Sequence, residues 1–334
     1  MLIDAHTHIL SLAGDTDFNT AYGREGSLCI YRSHGKLPSH RMPTEQEWEE
    51  SGYGKAGFPI TGPDASIAAH PGFDKIVVLG VSPQFLEGKL IGTVDTARIT
   101  DVSGPPSPEK CNDYIAAIVR SDPDRFIGFG SVNPNYRGPK AAVAELDRSV
   151  RELGLSGVKL YPMYQDWSPA DPILGFPLYE KAAELGIPVM VHQAGSTRID
   201  ARMEYARPAL LDAIGRHFRD LRVIIAHCGI PWMDEALFML TKHPNFYTEI
   251  SYYIASATEE ELFRFLIHAE QSFVPLEKIF FGTDYPGFLY DPVALMTKLR
   301  NVNAHAERVG AEPIPESKLD GIAGDNFARV LGLL

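Results

Sequence analysis

The chain has 334 residues, 45% hydrophobic and 22% charged, a composition that supports a large buried core and excludes a disordered chain. Its formal net charge of −12 removes the basic footprint of a nucleic-acid binder, and no run approaches the ~18 consecutive apolar residues of a membrane span. The start MLIDAHTHIL carries Asp4 and no basic stretch, unlike a secretory leader, and Cys29, Cys111 and Cys228 are scattered without a C-x-x-C pair. A cytoplasmic chain with neither nucleic-acid nor membrane partners is expected.

The first strand is expected over residues 2–8 (LIDAHTH). Residues 9–72, rich in Gly, Pro, Ser and His, break the rhythm and read as one long insertion after that strand, a length of loop that usually serves function. From residue 73, apolar, β-branched runs at 75–81, 125–132, 156–161, 187–192, 221–227, 245–250 and 278–284 read as seven more strands. An irregular stretch at 88–107 precedes the first of the helical segments, which fall at 108–121, 141–153, 178–185, 208–218, 232–243, 259–269 and 292–304. The clearest is 141–153, where Val143, Leu146, Val150 and Leu153 form one stripe and Gly154 supplies the stop. Eight strands alternating with helices at a repeat of roughly 30 residues most simply close into a (β/α)8 TIM barrel, an α/β fold, as a single domain over residues 1–334. An open doubly wound sheet is the alternative.

The strongest local chemical signal is His6-Thr7-His8, because residues two apart on a strand face the same way and can share a cation. His192 and His227 each end an expected strand, and Asp284 follows KIFFGT. In a barrel the C-terminal strand ends form the active-site face, so these polar residues should converge on one pocket. Leaving them buried without a common partner would cost roughly 1–3 kcal/mol per unsatisfied group, a cost that a divalent cation removes. Three imidazoles and a carboxylate suit Zn²⁺ first, and Mn²⁺ or Fe²⁺ after it. Cys228, next to His227, should face the opposite way. The remaining histidines read as surface or capping residues, with His34, His40 and His70 the ones worth testing. The chain holds no G-x-S-x-G, H-E-x-x-H, P-loop or G-x-G-x-x-G motif.

In order, the motifs AHTH, DPDRFIGFGSVNP, GVKLYP, PVMVH, IIAHCGIPW, NFYTEIS, FFGTDYP and GDNFARVLGL cover nearly the whole chain apart from the insertion. This series resembles the amidohydrolase-related metal-dependent hydrolases, in the branch of aminocarboxymuconate-semialdehyde decarboxylase. The resemblance implies that His6, His8, His192 and Asp284 hold one metal ion per chain and that His227 is the acid/base. It also implies a homodimer. Lys159, in GVKLY, would be carboxylated and bridge two metals in binuclear relatives, whereas in this branch it need not touch metal. Its bland role is a buried lysine paired with an acid such as Glu249, which itself could contact substrate or support the metal ligands.

Two enzymatic outcomes follow from the same residues. In a hydrolase, water activated by a divalent cation attacks a carbonyl while His227 manages the proton; in a decarboxylase, metal and histidine promote protonation of the carbon that loses CO₂. Hydrolysis is placed first as the broader family outcome, with decarboxylation of a small aromatic or muconate-type acid as the alternative. A non-catalytic, ligand-binding barrel is a third reading. Arg24, Arg32, Lys36 and Arg41 lie in the insertion and could meet the carboxylates of a small anionic substrate.

Overall fold

The computed structural model describes residues 1–9, 62–82, 84–86, 89–91, 107–196, 201–286 and 291–334. Eight parallel strands form one sheet in sequence order: β1 Ile3–Thr7, β2 Lys75–Leu79, β3 Phe126–Ser131, β4 Gly157–Leu160, β5 Val189–Val191, β6 Val223–Ile225, β7 Phe246–Glu249 and β8 Ile279–Phe280. Closure is carried by the chain beyond β8 running along β1. Ala5 N donates to Phe281 O at 3.1 Å, Asp284 N to His6 O at 2.8 Å and His8 N to Tyr285 O at 2.6 Å. The result is the expected TIM barrel.

Strand alternation divides the core into two layers. Val158, Val189, Val191, Val223 and Ile225 pack outward under the helices, while Leu79, Phe129, Met190, Ile224 and Phe280 fill the barrel. The GDNFARV segment closes its floor: Phe327 lies against Phe129 and Phe280 at ring separations of 6.2 and 5.2 Å, and Asn326 Nδ2 donates to the carbonyls of Leu276 and Ile279. The opposite, C-terminal end of the strands is thereby left for chemistry.

Of the helices, α1 Pro63–Ala69 lies inside the expected insertion. Pro108–Ser121 (α2) matches its expected span and is capped by the Ser107 hydroxyl, which accepts from Lys110 N. Pro139–Arg151 (α3) precedes Gly154, whose φ of 74° is the left-handed conformation glycine tolerates. Two expected helices are each divided. Residues 208–218 form a 3₁₀ turn, Pro208–Leu211, before the helix Asp212–His217, and 292–304 stop at Arg300 before Asn303–Val309 begins. A short antiparallel hairpin, Gln84–Leu86 with Lys89–Ile91, runs into the start of the stretch expected to be irregular. Among the described residues no helix is long and apolar enough to cross a membrane.

Candidate active site

The first strand does not alternate simply. Ile3, Asp4 and Thr7 pair with Lys75, Ile76 and Val78, so Ala5 and His6 together oppose the single residue Val77. Such a bulge re-phases a strand. Ile3 and Ala5 belong to the barrel interior, and across the bulge His6 and His8 turn inward as well and are both buried.

Each of these imidazoles has its Nδ1 committed. His6 Nδ1 lies 2.8 Å from Glu249 Oε1, and His8 Nδ1 lies 3.2 Å from the carbonyl of Leu79. Both partners accept only, so the protons sit on Nδ1 and the Nε2 lone pairs point away from them. Those two Nε2 atoms approach to 3.3 Å, and Asp284 Oδ1 lies 3.4 Å from one and 3.3 Å from the other. Two lone pairs and a carboxylate facing one another in a buried site repel unless a cation sits among them. His6, His8 and Asp284 therefore fit a divalent metal, and their ligand atoms all fall within 4.8 Å. Ligand atoms of His6, His227 and Glu249 also lie within 4.8 Å of one another, but His6 Nδ1 is already spent there on its bond to Glu249.

His227 sits two residues past the end of β6, in consecutive left-handed conformations with Cys228 (φ 57° and 42°), each costing about 1–3 kcal/mol. What holds this turn is Glu249. Its Oε1 accepts from His227 N at 2.6 Å as well as from His6 Nδ1, and its Oε2 accepts from Ser251 N at 2.7 Å. The His227 ring bonds through Nδ1 to Ser251 Oγ at 2.9 Å and through Nε2 to His192 Nδ1 at 3.2 Å. Burial foremost, then the neighbouring positive and imidazole groups, holds the pKa of both His6 and His227 well below the usual histidine value. Both rings are neutral at rest, as ligation and proton acceptance require.

Of the residues singled out from sequence, His6, His8, Asp284, His227 and Glu249 meet in one cluster. His192 joins it through His227 rather than through the His6–His8–Asp284 group. Tyr161 and Tyr164 flank His192, at ring separations of 5.9 and 5.1 Å, and give the pocket an aromatic wall. Lys159 is wholly buried in β4 and lies over the Tyr161 ring at 5.3 Å. Cys228 turns away into the outer core, where burial raises its thiol pKa. Arg24, Arg32, Lys36 and Arg41, with His34 and His40, lie outside the described residues.

Sequence reasoning missed the support beneath the site. Asp4 accepts from His6 N at 3.1 Å, Thr283 N at 3.0 Å and Thr283 Oγ1 at 2.5 Å, and lies 3.1 Å from His70 Nε2. His70 Nδ1 in turn reaches Ser66 O at 2.7 Å. This buried carboxylate pins together the strand carrying His6, the segment carrying Asp284 and the end of α1. Asp4 and Ser251 each stand two residues from a site residue, the one available clue; the pairing of Asp4 with His70 spans 66 positions and leaves no local trace.

Comparison with known proteins adds the relatives. A 2-amino-3-carboxymuconate-6-semialdehyde decarboxylase of Dictyostelium discoideum is 26% identical over 204 residues, 52% of this chain and 55% of that protein. A 2-keto-4-carboxy-3-hexenedioate hydratase of Sphingobium is 32% identical over 139 residues, 37% of this chain and 41% of that one. The chain thus spans about half the length of the curated relatives it matches. Among solved structures, a dihydroxybenzoic acid decarboxylase from Polaromonas with bound manganese and the inhibitor 2-nitroresorcinol shares the fold, with a TM-score of 0.62 at 17% identity over 99% of this chain and 97% of that one. The family model described as amidohydrolase matches residues 3–333, and the chain belongs to that family.

Proposed function

We propose that this protein is a metal-dependent, non-oxidative decarboxylase of a small aromatic or conjugated acid. The single observation that carries the reading is the convergence of the His6 and His8 Nε2 atoms on Asp284 Oδ1, beside a second imidazole pair, His227 and His192. The curated relatives turn the choice of chemistry away from the hydrolysis placed first above and toward loss of CO₂, since the Dictyostelium, Emericella nidulans and Polaromonas proteins are named decarboxylases. His6, His8 and Asp284 would hold the metal, with His192 completing the set when its Nδ1 donates to His227 and its Nε2 keeps a lone pair. Manganese is the ion to test first, because related decarboxylases with this fold were solved with it; zinc is the second.

When bound, the cation supplies positive charge beside the substrate's oxygens. The protein's own residues then govern the proton. The carbon bearing the carboxylate accepts a proton, the C–C bond pair returns to that carbon, and CO₂ leaves, so that acid anion plus one proton become product plus CO₂. His227 would pass that proton, taking it from solvent at Nε2 in place of its contact with His192 and giving it to the carbon, with Ser251 and Glu249 fixing its ring and backbone. Tyr161 and Tyr164 offer faces against which a planar substrate can pack.

The hydratase relative supports a second reading, addition of water across a conjugated double bond at the same site. Incubating manganese-loaded protein with hydroxybenzoic acids and carboxymuconate-type acids, while following CO₂ and product masses, separates the two. Stoichiometric CO₂ supports decarboxylation; a product heavier by one water without CO₂ supports the hydratase.

A further inference from the structure

Lys159 stands in the third position of β4, opposite Met190 of β5 and Ser131 of β3 in register. Met190 lies in the barrel interior, so Lys159 and Ser131 on the same wall face inward as well. Among the described residues, Lys159 Nζ and Ser131 Oγ are both buried and both lack a hydrogen-bond partner. A buried ammonium and a neighbouring buried hydroxyl left without acceptors are costly unless something else occupies the space before them.

The acids nearby do not fill that role. Glu249 is spent on three donors, His6 Nδ1, His227 N and Ser251 N. Asp284 Oδ1 faces the Nε2 atoms of His6 and His8 and is not within hydrogen-bond reach of Lys159 Nζ. Both act on Lys159 as charges rather than as hydrogen-bond partners, opposing the burial that pushes its pKa down to about 8. The Tyr161 face at 5.3 Å favours the charged form of the amine.

We infer that Lys159, with Ser131 beside it, is the anchor for a second anionic oxygen of the substrate, a carboxylate or ionised phenol that is retained when CO₂ departs. The inference rests on the proposed reading of the site and narrows its substrate to acids bearing two anionic oxygen groups, one addressed to the metal ligands and one to the β3–β4 wall. A neutral second substituent would leave the ammonium unpaired, and selectivity follows from that difference rather than from attraction alone.

Binding of unreactive probes to the manganese-loaded protein tests this without depending on turnover. Benzoate is compared with phthalate, isophthalate and terephthalate by calorimetry near neutral pH. The parent should bind at least one dicarboxylate about tenfold to a hundredfold more tightly than benzoate, the range of a charge-assisted hydrogen bond. Lys159→Met should erase that preference while leaving benzoate affinity and metal content within about threefold, and Lys159→Arg should restore part of it. Should Lys159→Met fail to fold, the parent's own preference and the Ser131→Ala variant, with a smaller loss confined to dicarboxylates, keep the question open to refutation. The inference is overturned if the parent does not discriminate, if Lys159→Met weakens benzoate and dicarboxylates alike, or if labelled bicarbonate gives a lysine carbamate signal that Lys159→Arg lacks. Absence of CO₂ release with the dicarboxylate preference intact would instead count against the decarboxylase reading alone.

Discussion

Glu249 is the residue on which the site's geometry most depends, and replacing it with glutamine exposes how. The carboxylate accepts three hydrogen bonds, 2.6 to 2.8 Å long, from His227 N, His6 Nδ1 and Ser251 N. An amide retains one oxygen. With that oxygen at the Oε1 position, the new NH₂ faces the Ser251 N–H, leaving one buried donor unsatisfied at a cost of about 1–3 kcal/mol. With the amide reversed, NH₂ faces His227 N and His6 Nδ1. His6 can then accept only by moving its proton to Nε2, where it blocks the lone pair offered to metal. Both arrangements remove the negative charge beside His6 Nδ1, and the reversed one also removes its acceptor, so the metal site weakens by up to the ~10–100-fold typical of losing a group that orients a ligand. Glu249→Gln should thus lower the urea midpoint by the equivalent of about 1–3 kcal/mol and raise the manganese dissociation constant about 10–100-fold. Glu249→Ala, which abandons three donors, should cost about 3–9 kcal/mol, a large share of the ~5–15 kcal/mol by which domains are stable. The reasoning is refuted if Glu249→Gln binds manganese within twofold of the parent and unfolds at the same urea concentration.

Replacing both His6 and His8 with alanine should abolish metal content while leaving the far-ultraviolet circular dichroism of a barrel, as elemental analysis and spectra would check. His227→Asn should retain its metal yet lose about 10²–10⁴ in turnover, whereas His192→Asn should surrender metal to a chelator much faster; equal metal loss in both would make His227 a ligand. Asp4→Asn should reduce stability by about 1–3 kcal/mol through its bonds to Thr283 and His70, measured by denaturant unfolding. The depressed pKa values of His6 and His227 set the acid response of the metal-free protein. The unfolded chain binds protons at these histidines below about pH 6.5 and the folded one does not, so stability is full above that value and falls with pH, by up to ~1.4 kcal/mol per pH unit per histidine. Urea midpoints taken between pH 7 and pH 5 should decline, and a flat profile would contradict burial of these rings in the neutral form.

How much of this was legible in the chain differs from residue to residue. The eight strands and the barrel follow from the spacing of apolar runs, and His6 with His8 from their two-residue separation. Both face the barrel interior because the bulge at Ala5 and His6 re-phases the strand through a pairing with β2 some seventy residues away, which no local pattern announces. His227 and Asp284 were found as polar residues after apolar strands, but both occupy left-handed turns beyond the ladder rather than strand ends. Their positions are fixed by Glu249, Asp4 and Thr283, contacts made across the closed barrel. Lys159 could be recognised as unusual, yet only the structure shows that Glu249 is already bonded to three other donors and that Lys159 Nζ has no hydrogen-bond partner.

The claim that the site removes CO₂ is tested most directly by running the reaction of the manganese-loaded protein on a hydroxybenzoic acid in water labelled with heavy oxygen, and again in heavy water. The account predicts one CO₂ per substrate consumed, one deuterium on the vacated carbon and no solvent oxygen in the organic product. A product carrying labelled oxygen, without CO₂, would contradict it and return the site to hydration or hydrolysis.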